Sequence, residues 1–378
     1  MKKRIYCDYN ATTPILPDVQ KSFLKGLDYY GNASSLYSVG REAKEIMEAT
    51  RESLATVLGC YPDQLIFTSS GTESNNQVLK SLIYDKVVLK KDVHILISAI
   101  EHSSIFDTVK VLSDYGIEYD IVPVDSTGKV DITSYKSLFR SDTSLVSIMM
   151  ANNEIGQIQD IKQLCEIAQK NNVLFHTDAV QALGKIKIDV TDLGVDFLSL
   201  SAHKVYAPKG VGVLFVKDDS LVKPLLDGAH HERSMRASTE NIPAIYAFQK
   251  AIEKINVEAY QKHTLSIRDY FVQQLKISIS GVSFHHVNTG LSNTVSVSFD
   301  GVFGHHLAMN CDLEGIDVST GSACSVGAIE PSHVLRAIGV VDEVNQSTLR
   351  FSFGLMSQKQ DCDEIVARLE RIVKRMRL

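Results

Sequence analysis

Two strand-like segments of the sequence each end in a side chain that could do chemistry. Asp178 comes shortly after the apolar residue Phe175, and Lys204 follows 26 residues later, after Phe197 and Leu198. A lysine can form a Schiff base with pyridoxal phosphate, while an aspartate can keep the ring nitrogen of that cofactor protonated, so that the ring accepts electrons. The pair therefore predicts a pyridoxal phosphate enzyme, which also needs a phosphate cradle, a ring stack and a carboxylate clamp.

The candidate phosphate cradle is a turn rich in glycine, serine and threonine. Residues 68–75 follow a predicted strand and open a predicted helix, with Gly71 permitting a close approach and Thr72 offering a hydroxyl. Backbone N–H groups at a helix start bind anions. Ser201 and His203, near the lysine, could supply further donors. An ordinary helix N-cap is the alternative interpretation of this turn.

Four further side chains could contact the cofactor ring or a substrate. His102 follows a predicted strand and could stack on the ring and move a proton, or could be a solvated residue at a helix entry. The amides of Asn153 and Gln181 could bind the ring oxygen or a carboxylate, or could cap a turn or helix. The guanidinium of Arg350 suits bidentate binding of a carboxylate, with a solvated edge arginine as the alternative.

Cys324 is the group that would choose the reaction. It lies in residues 318–328, a run of small residues that predicts an accessible loop. A lone cysteine is usually a small buried hydrophobe, but a thiol that takes an atom from a substrate needs this kind of tether. The other five cysteines are interpreted as structural. Adjacent histidine pairs such as His230 and His231 rarely chelate one ion, so no metal is expected.

Composition excludes several classes of protein. The 378 residues are 22% charged and 44% hydrophobic, with a formal net charge of −6. These values are typical of a globular protein and argue against nucleic acid as a partner. Apolar stretches are too short to span a membrane, and no signal peptide is recognised, so a cytoplasmic location is expected.

Predicted strands and predicted helices alternate along the part of the chain that must position these residues. Short β-branched runs alternate with helical patterns between residues 65 and 216, which predicts an α/β fold with a mostly parallel sheet and working residues at strand C-terminal ends. The predicted strands are 65–68, 94–99, 118–122, 145–150, 173–177, 197–201 and 212–216. Past residue 255 the pattern becomes α+β. We expect a large cofactor domain at 15–255 and a smaller α+β domain formed by 1–14 and 256–378, which carries the cysteine loop.

With these motifs in hand, the chain resembles the cysteine desulfurases of the NifS/IscS type, which are class V aminotransferase-like, fold-type I pyridoxal phosphate enzymes. The resemblance runs from Ile5 to about Arg375, and its motifs are residues 8–14, 72–76, 101–104, 152–156, 176–181, 203–204, 208–210, 236–241, 321–324 and 330–336. It implies a seven-stranded sheet flanked by helices. It also implies conversion of L-cysteine to L-alanine, with sulfur supplied for iron–sulfur clusters or other products.

The resemblance also implies a role for each candidate. Lys204 would be the Schiff-base lysine, and Cys324 would carry the persulfide to a sulfur-acceptor protein. Substrate carboxylate would be held by Asn153 and Arg350. The remaining contacts would be Asp178 to the ring nitrogen, Gln181 to the ring oxygen, His102 on the ring, and Gly71, Thr72, Ser201 and His203 at the phosphate. Thr239 would reach the phosphate of a partner subunit, which implies a homodimer.

Some positions depart from the usual family pattern, and other functions stay open. Alanine stands for the usual glycine at Ala202 and Ala207 and for a common proline at Ala33, and Ser238 replaces a glycine. A selenocysteine lyase or another aminotransferase-like enzyme would also use the lysine and aspartate. A non-catalytic partner-binding protein on the same scaffold is an alternative from a different class.

Overall fold

The computed structural model describes residues 4–285, 289–321 and 330–378. Its strands are β1 (Ile5–Tyr6), β2 (Leu65–Thr68), β3 (His94–Ser98), β4 (Glu118–Val122), β5 (Thr143–Ser147), β6 (Leu174–Asp178), β7 (Phe197–Ser201), β8 (Gly212–Val216), β9 (Val282–His285), β10 (Thr294–Phe299), β11 (Ile316–Asp317), β12 (Ser319–Thr320) and β13 (Thr348–Ser352). Its helices are α1 (Pro17–Gly26), α2 (Ser38–Leu58), α3 (Gly71–Ile83), α4 (Ser103–Ser113), α5 (Ile132–Ser137), α6 (Ile161–Lys170), α7 (Val190–Leu193), α8 (Ile242–Glu253), α9 (Val257–Ser278), α10 (Gly304–Leu313), α11 (His333–Ala337), α12 (Asp342–Asn345) and α13 (Lys359–Met376).

The larger sheet has seven strands in the order β2-β8-β7-β6-β5-β3-β4. β8 runs antiparallel to both of its neighbours, and the other pairs are parallel. The central strands β7 and β8 are buried along their whole length because apolar residues pack on both faces of the sheet. The predicted α/β fold with a mostly parallel seven-stranded sheet is confirmed.

The order of the strands explains where the chemistry lies. Parallel β6 and β7 are neighbours, with Asp178 paired with Ser199 in register. Their carboxyl ends therefore lie side by side at the same end of the sheet, where a crevice forms in folds of this kind. Asp178 is the last residue of β6, and Lys204 lies three residues beyond β7 in a single 3₁₀ turn, Ala202–Lys204.

A second, smaller core forms around a four-stranded antiparallel sheet of order β12-β13-β10-β9. Helices α9 and α13 pack on it, and the first strand of the chain joins the same core because Ile5 pairs with Ile316 of β11. The N-terminal segment thus runs from this small core to the edge of the large sheet. Among the described helices, none combines the length and the apolar character needed to cross a membrane.

Candidate active site

A cavity of about 290 Å³ lies at the carboxyl ends of β6 and β7, beside the start of α3. Most of the side chains selected from the sequence line it: Gly71, Thr72, His102, Asn153, Asp178, Gln181, Ser201, His203, Lys204 and Arg350. They come from segments more than 270 residues apart in the chain. Cys324 lies outside the described residues. Thr239 is an exposed loop residue that does not line this cavity.

Asp178 is buried and held in one orientation. Its Oδ2 accepts a hydrogen bond from Asn75 Nδ2 at 2.7 Å, and its Oδ1 accepts from the backbone N–H of Val180 at 2.9 Å. Asn75 lies on α3, one turn after Gly71, and the sequence patterns did not select it. A fixed carboxylate that borders a cavity is suited to hold a protonated ring nitrogen.

Lys204 projects into the cavity toward the N-terminal segment. Its Nζ donates to the backbone oxygens of Asn10 at 2.6 Å and Ala11 at 2.7 Å. The neighbouring His203 ring hydrogen-bonds the Thr12 hydroxyl through Nδ1 at 3.1 Å. Burial, aided by the positive charges of Lys204 and Lys209, lowers the pKa of His203 to about 4, so this imidazole is neutral near pH 7.

The turn before α3 combines both interpretations made from the sequence. Ser70 is the N-cap, because its side chain accepts a hydrogen bond from the backbone N–H of Glu73. The helix has 13 residues, and its remaining first N–H groups have no partner inside the helix. At Gly71 a Cβ atom would lie 2.5 Å from Val180 Cγ2, so a side chain does not fit without a shift. The turn therefore offers donors in a place where only glycine allows close approach.

His102 is the N-cap of α4 rather than a solvated residue. Its Nδ1 accepts from the backbone N–H of Ser104 at 3.1 Å, so the proton of the neutral ring lies on Nε2. Burial lowers the pKa of the ring, although nearby Asp178 acts in the opposite direction. The half-buried imidazole lines the cavity as a neutral group.

Arg350 of β13 is 3% exposed, and it is a residue of the small antiparallel sheet that lines the cavity. Its Nη2 donates to Asp8 Oδ1 at 2.5 Å, and its Nη1 donates to the backbone oxygen of Asn153 at 3.1 Å. Within the described ranges, its buried Nε finds no acceptor. An unpaired buried N–H group is costly, so this donor indicates a place for an anionic ligand. The predicted alternative of a solvated edge arginine does not match this burial.

Besides Asn75, the sequence reasoning missed Asn10, which lines the cavity, and Lys185, which contacts two of the lining residues. Asn10 is 1% exposed, and its backbone oxygen accepts from both Lys204 Nζ and Gln181 Nε2. Lys185 is 3% exposed and donates to Gln181. Neither residue follows a strand of the large sheet directly, so the strand-end rule could not select them. A lysine four residues after Gln181 was the available signal.

The cysteines that the structure describes are poor sources of thiolate. Cys7, Cys165, Cys311 and Cys362 are buried, and Cys60 is half-buried. Burial raises the pKa of each of these thiols, to about 12 for Cys60, Cys165, Cys311 and Cys362. A reactive thiol needs a lowered pKa and access. The described cysteines therefore do not compete with Cys324 for a nucleophilic role.

Gly321 and Ser332 flank the segment that contains Cys324, and both lie near the buried carboxyl group of Glu154. Ser332 Oγ donates to Glu154 Oε2 at 2.5 Å, and a Cβ built on Gly321 would lie 3.4 Å from the same oxygen. Burial raises the pKa of Glu154 to about 7. A cavity of about 470 Å³ opens here and shares His102 and Asn153 with the first cavity.

Comparisons with known proteins agree with this geometry. The profile "Aminotransferase class-V" matches residues 5–365. The cysteine desulfurase IscS of Dictyoglomus turgidum is 42% identical, over 100% of this chain and 96% of its own length. A solved structure of a NifS-like protein is 36% identical, with a TM-score of 0.91, and covers 98% of this chain and 99% of that one. The structure of SspA in complex with cysteine is 31% identical, with a TM-score of 0.83 and coverage of 92% and 98%.

The chain therefore belongs to the class-V aminotransferase family. Its resemblance to the NifS/IscS type of cysteine desulfurase is confirmed, and so is the requirement for pyridoxal phosphate. The residues present fit that cofactor. An amine and a fixed carboxylate share one cavity, the glycine turn admits an anion, and the unpaired Arg350 Nε–H can bind a second one.

Proposed function

We propose that this chain is a pyridoxal phosphate-dependent cysteine desulfurase, which converts L-cysteine to L-alanine and takes the sulfur as a persulfide on Cys324. The observation that carries the proposal is the meeting of Lys204, Asp178 and Arg350 in one cavity of about 290 Å³. The relatives support it, since they include cysteine desulfurases and a protein whose structure was solved in complex with cysteine.

Cofactor binding would use the residues that line the cavity. Lys204 would hold the cofactor through its amine until the amino group of the substrate takes its place, and pyridoxal phosphate would then supply the electron sink that makes the Cα proton of an amino acid removable. Asp178 would hold the ring nitrogen and Gln181 the ring oxygen, while His102 would stack on the ring. The phosphate would be held by the donors of Gly71, Thr72, Ser201 and His203, as expected at a helix N-terminus.

Substrate binding would use the small core as well as the large sheet. The free Nε–H of Arg350 and the side chain of Asn153 would hold the carboxylate of L-cysteine. That contact orients the Cα–H bond toward the Lys204 amine, which can accept the proton. The Nε2–H of the neutral His102 ring can donate or relay a second proton in the same cavity.

Sulfur transfer would use the Cys324 thiolate. The thiolate attacks the substrate sulfur, so that a new S–S bond forms while the C–S bond breaks. The electron pair of the broken bond stays with the three-carbon fragment, which gains one proton at Cβ, regains one at Cα, and leaves as alanine. The persulfide then keeps the sulfur in a reactive form for an acceptor, so no separate oxidant is required.

We further propose the larger setting of this reaction. The chain would work as a cytoplasmic homodimer in which Thr239 reaches the phosphate of the partner subunit, and the persulfide would pass to a sulfur-acceptor protein, such as an iron–sulfur scaffold. The exposure of Thr239 is consistent with this role. Residues 15–255 would form the cofactor domain, and residues 1–14 with 256–378 the small domain, because Ile5 and Cys7 pack in the core of α9 and α13.

The test compares Cys324→Ser with Cys60→Ser, which changes a half-buried cysteine whose pKa is raised. Purified protein loaded with pyridoxal phosphate is given L-cysteine, and alanine and sulfide are quantified. The wild type and Cys60→Ser should form both products in the presence of a thiol. Cys324→Ser should bind the cofactor but lose nearly all product. Turnover of Cys324→Ser close to wild type would refute the role of this thiol, and a keto acid product would indicate an aminotransferase.

A further inference from the structure

Lys185 is a buried lysine that contacts two residues of the cofactor cavity, and the proposed mechanism gives it no role. It lies four residues after Gln181, in the turn that follows β6, and is 3% exposed. Its Nζ donates to Gln181 Oε1 at 2.6 Å and to Asn10 Oδ1 at 3.1 Å. Both of these acceptors are neutral amide oxygens. Burial, together with the positive charges of Lys204 and Arg350, lowers the pKa of this amine well below its ordinary value. A buried lysine whose acceptors are all neutral is unusual, so its position calls for a functional reason.

The contacts of Lys185 fix the orientation of the Gln181 amide. An amide can usually be turned over without a large change in shape, so its orientation must follow from its hydrogen bonds. Here Gln181 Nε2 donates to the backbone oxygen of Asn10 at 2.8 Å, and a carbonyl oxygen can only accept. The Oε1 atom therefore faces Lys185. The second N–H of the amide remains available to the cavity that Gln181 lines.

Asn10 is fixed in the same way and connects Lys185 to Lys204. Asn10 Nδ2 donates to the backbone oxygen of Asn153 at 3.0 Å, so its Oδ1 faces Lys185. Asn293 Nδ2 donates to the same Oδ1 at 3.0 Å. The backbone oxygen of Asn10 in turn accepts from Lys204 Nζ at 2.6 Å. One buried amine thus contacts both Gln181, which lines the cavity, and Asn10, whose carbonyl oxygen accepts from Lys204.

We propose that Lys185 is a positioning residue that acts through Gln181 and Asn10. It keeps an N–H of Gln181 directed at the place of the cofactor's ring oxygen, and it keeps the Asn10 carbonyl directed at Lys204. The proposal rests on the proposed function, because it assigns Lys185 to the same cofactor site. It predicts that Lys185 sets the affinity for the cofactor and the proton equilibrium of its ring oxygen.

The test uses Lys185→Met, with Lys187→Met as the matched control, because Lys187 is an exposed lysine two residues away. Each apo protein is titrated with pyridoxal phosphate, and the absorbance of the bound cofactor is followed against pH. Without Lys185 to orient it, Gln181 should lose its hydrogen bond to the charged ring oxygen, which should weaken cofactor binding about tenfold in Lys185→Met. Loss of that donor should also raise the pH midpoint of the absorbance change by about one unit. Lys187→Met should match wild type in both.

A double-mutant cycle separates positioning from general stabilisation. In a Gln181→Ala background, Lys185→Met should cost less than about twofold in cofactor affinity, because the amide that it orients is absent. A lysine that only stabilises the fold would lower the melting temperature, leave the pH midpoint unchanged and give additive losses. Either additive losses or a midpoint equal to that of Lys187→Met overturns the proposal.

Two further provisions make the result decisive. If Lys185→Met does not fold, Lys185→Gln is measured instead, since its shorter neutral side chain cannot serve both oxygens. It should bind the cofactor at least about threefold more weakly than Lys187→Met, and equal binding overturns the proposal. Failure of the proposed function looks different, because the wild type itself would then form no alanine from L-cysteine.

Discussion

Replacing Arg350 by methionine tests how the site recognises its substrate. Methionine has a similar length but carries neither the charge nor the donors of arginine. In the structure Nη1 and Nη2 are already engaged by Asn153 and Asp8, and Nε is the buried donor without an acceptor among the described residues. On the proposed role of Arg350, the substitution therefore removes the one charge-assisted hydrogen bond that Nε would make to the substrate carboxylate.

The expected size of the effect follows from that single bond. Hydrogen bonds to charged groups contribute about 1.5–3 kcal/mol, which corresponds to roughly 10- to 150-fold in affinity. Arg350→Met should therefore raise the inhibition constant of L-alanine by this factor, measured against L-cysteine turnover. Ethylamine lacks only the carboxylate of alanine, so its inhibition constant should be unchanged within about twofold.

The control is Arg336→Met, because Arg336 is an exposed arginine paired with Asp342. It should leave both inhibition constants at wild-type values. Equal losses for L-alanine and ethylamine in Arg350→Met would mean that the variant distorts the whole cavity. No loss for L-alanine would mean that another group binds the carboxylate. Either outcome would refute the reasoning for Arg350.

Two other changes test the phosphate turn and a buried carboxyl group. Gly71→Ala should weaken pyridoxal phosphate binding about tenfold or more in a fluorescence titration, since overpacking against Val180 costs about 1–3 kcal/mol. Glu154→Gln should change the pH dependence of stability, followed by urea unfolding. Burial raises the folded-state pKa of Glu154 from 4.5 to about 7, so its contribution to the free energy of unfolding falls as pH rises through this range, by as much as about 3 kcal/mol.

A different result would contradict each of these two predictions. Gly71→Ala with Val180→Ala should recover cofactor affinity because the second change removes the steric overlap, and a wild-type affinity in Gly71→Ala alone would contradict the steric argument. Glu154→Gln should be less sensitive to pH than the wild type between pH 4.5 and 7 and gain relative stability above pH 7. Parallel curves for the two proteins would show that Glu154 does not titrate in this range.

The sequence predicts the large sheet well because its strands are short apolar runs. The strands predicted at 65–68, 118–122, 197–201 and 212–216 have the observed bounds, and the strand predicted at 145–150 begins two residues earlier and ends at 147. Residues just past buried strands could be selected because parallel strands end at one edge. This rule found Asp178 and Lys204, which the structure brings into one cavity.

Residues that reach the site from other directions could not be found in this way. Asn10 lies between β1 and α1, and its importance comes from a backbone carbonyl that approaches Lys204, nearly 200 positions later in the chain. Asn75 is an interior helix residue, and only the fold reveals that it contacts Asp178. Such contacts depend on how elements pack, and local sequence patterns do not encode them.

The covalent attachment of the cofactor is the most direct test of the account. The protein is mixed with pyridoxal phosphate, reduced with borohydride and digested, and the peptides are analysed by mass spectrometry. We predict a phosphopyridoxyl group on the peptide that contains Lys204, and no such group there in Lys204→Ala. A phosphopyridoxyl group found on Lys185 instead, or on no lysine, would contradict the assignment of the catalytic amine.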